Sequence, residues 1–394
     1  MTPAYRPAGP SRKGLDRLPI CNRLYWTLHS EHHGNPELHR IHGRGLAELR
    51  REFARRGWTK RDVRPVLAAF ILHTVLIFAG MFLGLWAWSA MSGLWCAVVT
   101  LVGLAISGVG TVGIATTTHT PSHYAASPSR TVNEIMTYIG YPLLNGFSAT
   151  YWWRDHVSSH HMMPNVHGAD NDFDFLPAFA VTTADLEGST GWLRTYYQKW
   201  QAYVLPPALV LMGANLQRCG WQDLVAVLRN PAKRRRQDWL DFTALICHYG
   251  LLIGVPCLFF PISHVLVFYF ARMAMVSLGV FVLLVPPHFP METPVMEKAE
   301  ALSMGHCALQ TTVTVNYNGG WFIHAMAAGM DYQIEHHLFP EMSHIYYPLM
   351  SPLVAEYCAA NGLQYRTMKL SEALRKSYDV FKYLKPLGVN PAHL

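Results

Sequence analysis

The chain has 394 residues, of which 51% are hydrophobic and only 14% charged, with a formal net charge of +7. Ordinary soluble domains carry about 25% charged residues, so composition alone argues against two or three globular domains laid end to end. Fourteen of the 32 Lys and Arg residues fall in the first 64 positions, a bias that reads as membrane orientation and contact with anionic lipid rather than nucleic-acid binding.

In chain order, residues 1–64 form a basic, His-rich segment. It opens MTPAYRPAGPSRKG, without an early apolar core, so no cleavable signal peptide is expected. Its stretch GLAELRREFARRGW is expected to form an amphipathic helix on the membrane surface. No Asp, Glu, Lys or Arg occurs from Pro65 to Ser129, nor from Phe242 to Ala271. A span takes about 20 apolar residues, so the two gaps predict four transmembrane helices in two hairpins, near 66–90, 94–118, 240–261 and 263–286. The turns WSAMSG and FPISH carry no charge, whereas KRRR at 233–236 lies between the hairpins. The positive-inside rule then places both termini and the central segment in the cytoplasm. Two apolar but interrupted stretches, TVNEIMTYIGYPLLNGF and GWLRTYYQKWQAYVLPPALVLMG, are expected at the interface. The seven cysteines are scattered, never in CxxC, and read as reduced packing residues. The expected fold is an all-α integral membrane protein, with a membrane domain over 65–360, a cytosolic helical cap and a C-terminal tail over 361–394.

Three histidine clusters fall just outside predicted spans, on one side. They are HTPSH (His119, His123), HVSSHH (His156, His160, His161) and QIEHH (His336, His337), and His288 comes after the fourth span in PPHFP. On an α-helix, positions i and i+4 share a face and can grip one ion. Adjacent histidines diverge by about 100°, so one HH pair can serve two ions. A single HxxxH is more often a surface coincidence, and His288 alone would read as a helix-end polar residue. Eight imidazoles on one side are too many for one tetrahedral zinc, and the count implies two metal ions. Asp170, Asp172, Asp174 and Glu335 are placed to orient imidazoles from behind. The N-terminal HSEHH (His29, His32, His33) has the spacing but no adjacent span, and reads as exposed or accessory. His306, His324 and His344 read as supporting or packing residues.

The stretches HTPSHYAASPSRTVNE, WWRDHVSSHHMMPNVHGADNDFD and GGWFIHAMAAGMDYQIEHHLFPEMSHIYYP resemble the membrane fatty-acyl desaturase family. The resemblance is closest to its front-end and acyl-lipid branch, whose third box begins with Gln, and covers about residues 65–360. It implies two irons (Fe2+) at the cytosolic face. The ligands it implies are His119, His123, His156, His160, His161, His336 and His337, with His288 as the additional His after the last span. Asn316 and Gln333 are weaker candidates, acting through a water. It also implies O2-dependent formation of a double bond in a fatty-acyl substrate linked to CoA, carrier protein or lipid. With no HPGG signature of a fused cytochrome b5 in the chain, electrons are expected from a separate donor such as ferredoxin or cytochrome b5 with its reductase. In the first box Thr120 and Pro121 stand where the family usually has Asp next, and the proline is expected to kink or end the helix.

The chemistry accounts for the residue types. An unactivated methylene has no proton that a side-chain base can remove near neutral pH, so metal-activated oxygen is needed, and the protein supplies positioning, dryness and electron delivery. A tunnel among the helices would hold the chain at about 0.8 kcal/mol per CH2. Hydroxylation or acetylenation on the same scaffold is the near alternative. A zinc-dependent membrane hydrolase would leave half the histidines unexplained. A metal transporter would place ligands at mid-membrane, where only His73 and His248 fall. Arg272, near the middle of the fourth span, should face protein or a cavity; it either meets a substrate head group or bonds backbone carbonyls.

Overall fold

The computed structural model describes residues 36–388, so His29, His32 and His33 lie outside the described residues. Within them the chain is helical apart from short connections and one parallel strand pair, Asn316–Asn318 with Thr367–Lys369. Four helices are long and apolar enough to cross a membrane: Val63–Ala90, Gly93–Ser122, Arg236–Cys257 and Ile262–Leu284. The first begins at Asp62, whose carboxylate accepts from the Arg64 amide as an N-cap. It turns back through Met91 and Ser92 into Gly93, which takes φ +69, a backbone angle that costs glycine nothing.

The first two spans pack unusually close. A Cβ on Gly103 would run into the Gly84 backbone, and one on Gly80 into Ser107 and Gly103. Without a hydrophobic drive between helices in lipid, such small-residue stripes let van der Waals contact hold a hairpin. The opposite face of the first span leaves Leu67, Ile71, Leu72, Val75, Phe82 and Trp86 exposed, as a lipid-facing surface requires.

Two spans differ from the expected boundaries for local reasons. The second runs to Ser122, with Pro121 in its last turn and His123 as its cap. Proline so close to the end removes one N–H without breaking the helix, so His119 and His123 stay on one face, their rings 4.6 Å apart. The third starts at Arg236 and passes through a π-helical turn, Gly250–Gly254, just before Pro256. The missing proline N–H makes a wider turn the economical way to continue.

The interrupted stretches form Arg130–Tyr138 with a π turn to Asn145, and the helices Gly191–Lys199, Gln201–Leu209 and Met212–Arg229. The second group keeps Trp192, Trp200, Tyr203 and Leu211 exposed. The basic helix Pro36–Arg55 differs from a surface-lying one. Its Leu46 and Phe53 are buried in a cluster with Leu338, Phe339 and Tyr357, so protein, not lipid, covers its apolar face. Phe53 meets Phe339 edge-on at 5.2 Å, tying this helix to the third histidine cluster. The C-terminal residues also close on the cap. The buried Lys385 ammonium donates to Pro290 O, Thr293 O and Thr293 Oγ1, in the loop after His288.

Candidate metal centre

The second span delivers His119 and His123 to one end of the bundle. The next cluster arrives on Trp153–His160, a π-helix in which the His161 amide donates to His156 O at 3.2 Å. The expected α-helical pairing of His156 with His160 is therefore replaced. Bonding from i to i+5 puts His156 and His161 on one face and turns His160 to another. The third pair rides the short buried helix Gln333–Leu338.

The result is two groups of imidazoles. His119, His123, His156, His161 and His336 form one, and His160, His288 and His337 the other. In each, one ligand atom per residue lies within 4.8 Å of every other, and all eight side chains are buried. The divergence expected of adjacent histidines is realised twice, since 160/161 and 336/337 are both split between the groups.

Hydrogen bonds behind the rings fix their tautomers. His156 Nδ1 meets Asp172 at 2.7 Å and His160 Nδ1 meets Asp170 at 2.9 Å. His337 Nδ1 meets Gln310 Oε1 at 2.6 Å. His336 Nδ1 donates to the Tyr347 hydroxyl at 3.2 Å, and that hydroxyl itself donates to Met342 O. Each acceptor holds the proton on Nδ1, so Nε2 presents a lone pair to the interior. Burial pushes the imidazoles of His156, His161, His336 and His337 well below their usual range, which keeps them neutral. His160 is also penalised by burial, but Asp170, aided by Asp172, outweighs this and carries it up to about 9. With no ion present this keeps His160 protonated near neutral pH, so a metal ion bound there would displace its Nε2 proton.

Ring nitrogens face one another within the first group. His119 Nε2 is 3.2 Å from His156 Nε2, and His336 Nε2 is 3.1 Å from His161 Nε2. Buried His123 Nε2 and His337 Nε2 have no hydrogen-bond partner. In each pair one tautomer is fixed, at His156 and at His336, so the spacing suits either an N–H···N bond or two bare nitrogens sharing a cation. Ligand nitrogens about 2.1 Å from a shared metal ion would be separated by about 3.0–3.4 Å, so the residues present fit resident metal.

The other sequence candidates sort by position. Gln333 reaches the second group, its Nε2 2.9 Å from His288 Nε2 and its Oε1 unpartnered. Asn316 has both ends engaged elsewhere, accepting from Ile334 N and donating to Glu335 and Tyr365. Glu335 touches no imidazole; it sits between Asn316 and Tyr365, and burial pushes it up to about 7 against their hydrogen bonds. Asp174 accepts from the Leu176 amide in its own turn. His344 bonds Thr120 Oγ1 beside the first box, His306 lies 3.4 Å from Gln310, and His324 pairs with Asp331 away from both groups. Gln310, Tyr347 and Tyr365 could not be picked out in the sequence, because single polar residues far along the chain carry no spacing signal.

A cleft opens beside the first group, with apolar walls at Ala115, Phe147, Leu216, Val280 and Leu284 and with Ser148, Tyr151, Asp155, Asp172 and His156 lining the rest.

Four membrane-length helices capped by a buried, metal-ready histidine cluster define a membrane protein of the histidine-box kind. The chain belongs to the fatty acid desaturase family, whose model matches residues 95–369. It is 28% identical over 270 residues to a Delta(5) fatty acid desaturase of Caenorhabditis elegans, covering 63% of this chain and 55% of that one. It is 27% identical over 266 residues to a Delta(8)-fatty-acid desaturase of Euglena gracilis, covering 65% and 61%. With an acyl-lipid (8-3)-desaturase of Rebecca salina it shares 26% over 281 residues, covering 71% and 63%. The chain thus spans less than two thirds of the length of these curated relatives.

Proposed function

We propose that this chain is an O2-dependent fatty-acyl desaturase whose two imidazole groups hold two irons, on the cytoplasmic side of a membrane. The observation that carries the reading is the gathering of eight buried imidazoles into two groups, within each of which the ligand atoms lie within 4.8 Å of one another. Irons bound there would supply activation of O2 for removing hydrogen from a methylene. The chain's own residues do the rest. Asp170, Asp172, Gln310 and Tyr347 hold the imidazole tautomers. Burial excludes water that would divert the oxidant. Ala115, Phe147, Leu216 and Val280 grip the acyl chain and lay a methylene beside His156. Electrons come from a separate carrier meeting the basic cytoplasmic face.

The test is metal content per chain of detergent-purified protein, wild type beside the double variant His160→Ala/His161→Ala, with lipid product analysis afterwards. About two irons in wild type, falling sharply in the variant, with a new double bond in the acyl product, is the expected result. A single zinc, unaffected by the substitutions, would overturn the reading in favour of a hydrolase. A product that gains oxygen would assign hydroxylation instead.

A further inference from the structure

Arg272 is 1% exposed in the fourth span, and neither terminal nitrogen of its guanidinium has a hydrogen-bond partner. Backbone carbonyls do not satisfy these nitrogens, and no carboxylate among the described residues pairs with them. Its nearest compensation is the Tyr269 ring, 5.3 Å away. A buried cation left this way is strongly unfavourable, and inside a bilayer such residues mark substrate or ion paths.

Its position says which path. Arg272, Val276, Val280 and Leu284 succeed one another at intervals of four along one helix, a row that winds by about 40° per step; Arg272, Val276 and Val280 are all buried. Val280 and Leu284 wall the cleft that His156 also lines. Arg272 therefore lies on the same row, roughly 12 Å deeper than Val280. Polar neighbours gather at the same depth. Tyr269 Oη lies 2.8 Å from His248 Nε2 and accepts from Gln217 Nε2 at 3.2 Å. Cleft-lining Leu216 and Phe147 adjoin Gln217 and Gly146 in sequence, and a Cβ on Gly146 would collide with Gln217 and His248.

We infer that Arg272 forms the deep end of the acyl cleft and receives an oxygen acceptor, hydroxyl or carboxylate, at the far end of the substrate chain. The inference rests on the acyl-desaturase reading for what enters the cleft. A methyl terminus would leave the guanidinium desolvated and unpaired, whereas a terminal oxygen accepts from it.

The experiment is displacement of a fluorescent acyl probe from the detergent-purified full chain by three methyl esters: palmitate, ω-hydroxypalmitate and the monomethyl ester of hexadecanedioic acid. Their head groups are identical and only the tails differ. Wild type should bind one or both oxygenated tails at least about tenfold more tightly than palmitate, the effect of one hydrogen bond to a charged group. Arg272→Met should erase the difference while still binding palmitate. Arg272→Lys, should the methionine variant not fold, should narrow it. Equal binding of all three esters by wild type overturns the inference, as does a preference that survives in Arg272→Met. Tail discrimination without any double bond formed would retire the desaturase reading and leave this one standing. Desaturation without tail discrimination would do the reverse.

Discussion

At the scale of single residues, the imidazole cluster is held by side chains that reach it only from behind. Gln310 accepts from His337 Nδ1 and donates to His161 O at 2.9 Å, so one amide steadies an imidazole-bearing residue of each group. Gln310→Leu removes both bonds and leaves the His337 ring free to present the wrong tautomer. Metal affinity should fall by about 10–100-fold, read by titrating apoprotein with Fe2+ and monitoring chain-bound metal. Asp170→Asn tests the opposite end. It should lower the basicity of His160 and weaken the second group first, so metal per chain should fall towards one before reaching zero. The eight imidazoles were legible in the sequence because they recur at helical spacing next to apolar gaps. Gln310 was not, since it lies 149 residues from the backbone oxygen it bonds and has no motif of its own.

At the scale of elements, the second histidine box is decided by a departure from α geometry. The i to i+5 bond between His161 N and His156 O assigns His156 and His161 to one group and His160 to the other. Inserting an alanine after Ser158 would set His156 and His161 at i and i+6 and rotate the chain beyond by about 100° for the residue gained. Circular dichroism should show helix content nearly unchanged while chain-bound metal disappears. Deleting Ser158 should instead relax the segment to an α-helix with this pair at i and i+4, still on one face, and keep metal. An insertion that kept its metal would mean the π turn is incidental. Sequence spacing did not reveal this turn, because HVSSHH fits an α-helical pairing equally well and the wider turn is fixed by what packs around it. Pro121 shows the converse: the residue was plain in the sequence, but its effect depended on how near the helix end it fell.

At the scale of the whole molecule, hydropathy and charge made the two hairpins and four spans legible, since a bilayer leaves a chain few alternatives. The closure of the cap was less legible, because it is made by distant single residues. Tyr365 donates to Glu335 at 2.6 Å, and Lys385 pins the loop after His288. A chain ending at residue 360 should still insert in membranes but bind little metal and lose its cooperative thermal transition. In the first hairpin, Gly103→Val would force the helices apart at Gly84 and Gly80. Overpacking of this kind costs about 1–3 kcal/mol, and the expected outcome is a lower melting temperature in detergent with His119 and His123 displaced. An unchanged melting temperature would show that the close approach is not needed.

The distance along the chain between His119 and His337 also sets an order of events in the cell. At a synthesis rate of about 5–20 residues per second, roughly 10–40 s separate the emergence of the first ligand from that of the last. During that interval five imidazoles, from His119 to His161, are already made while neither group is complete. An ion that needs a complete group would therefore find one only after both hairpins have been made. It would enter a site that lipid and helix packing have already shaped, whereas until the third box arrives the nascent chain offers only a partial, unselective set of imidazoles to whatever cation is at hand.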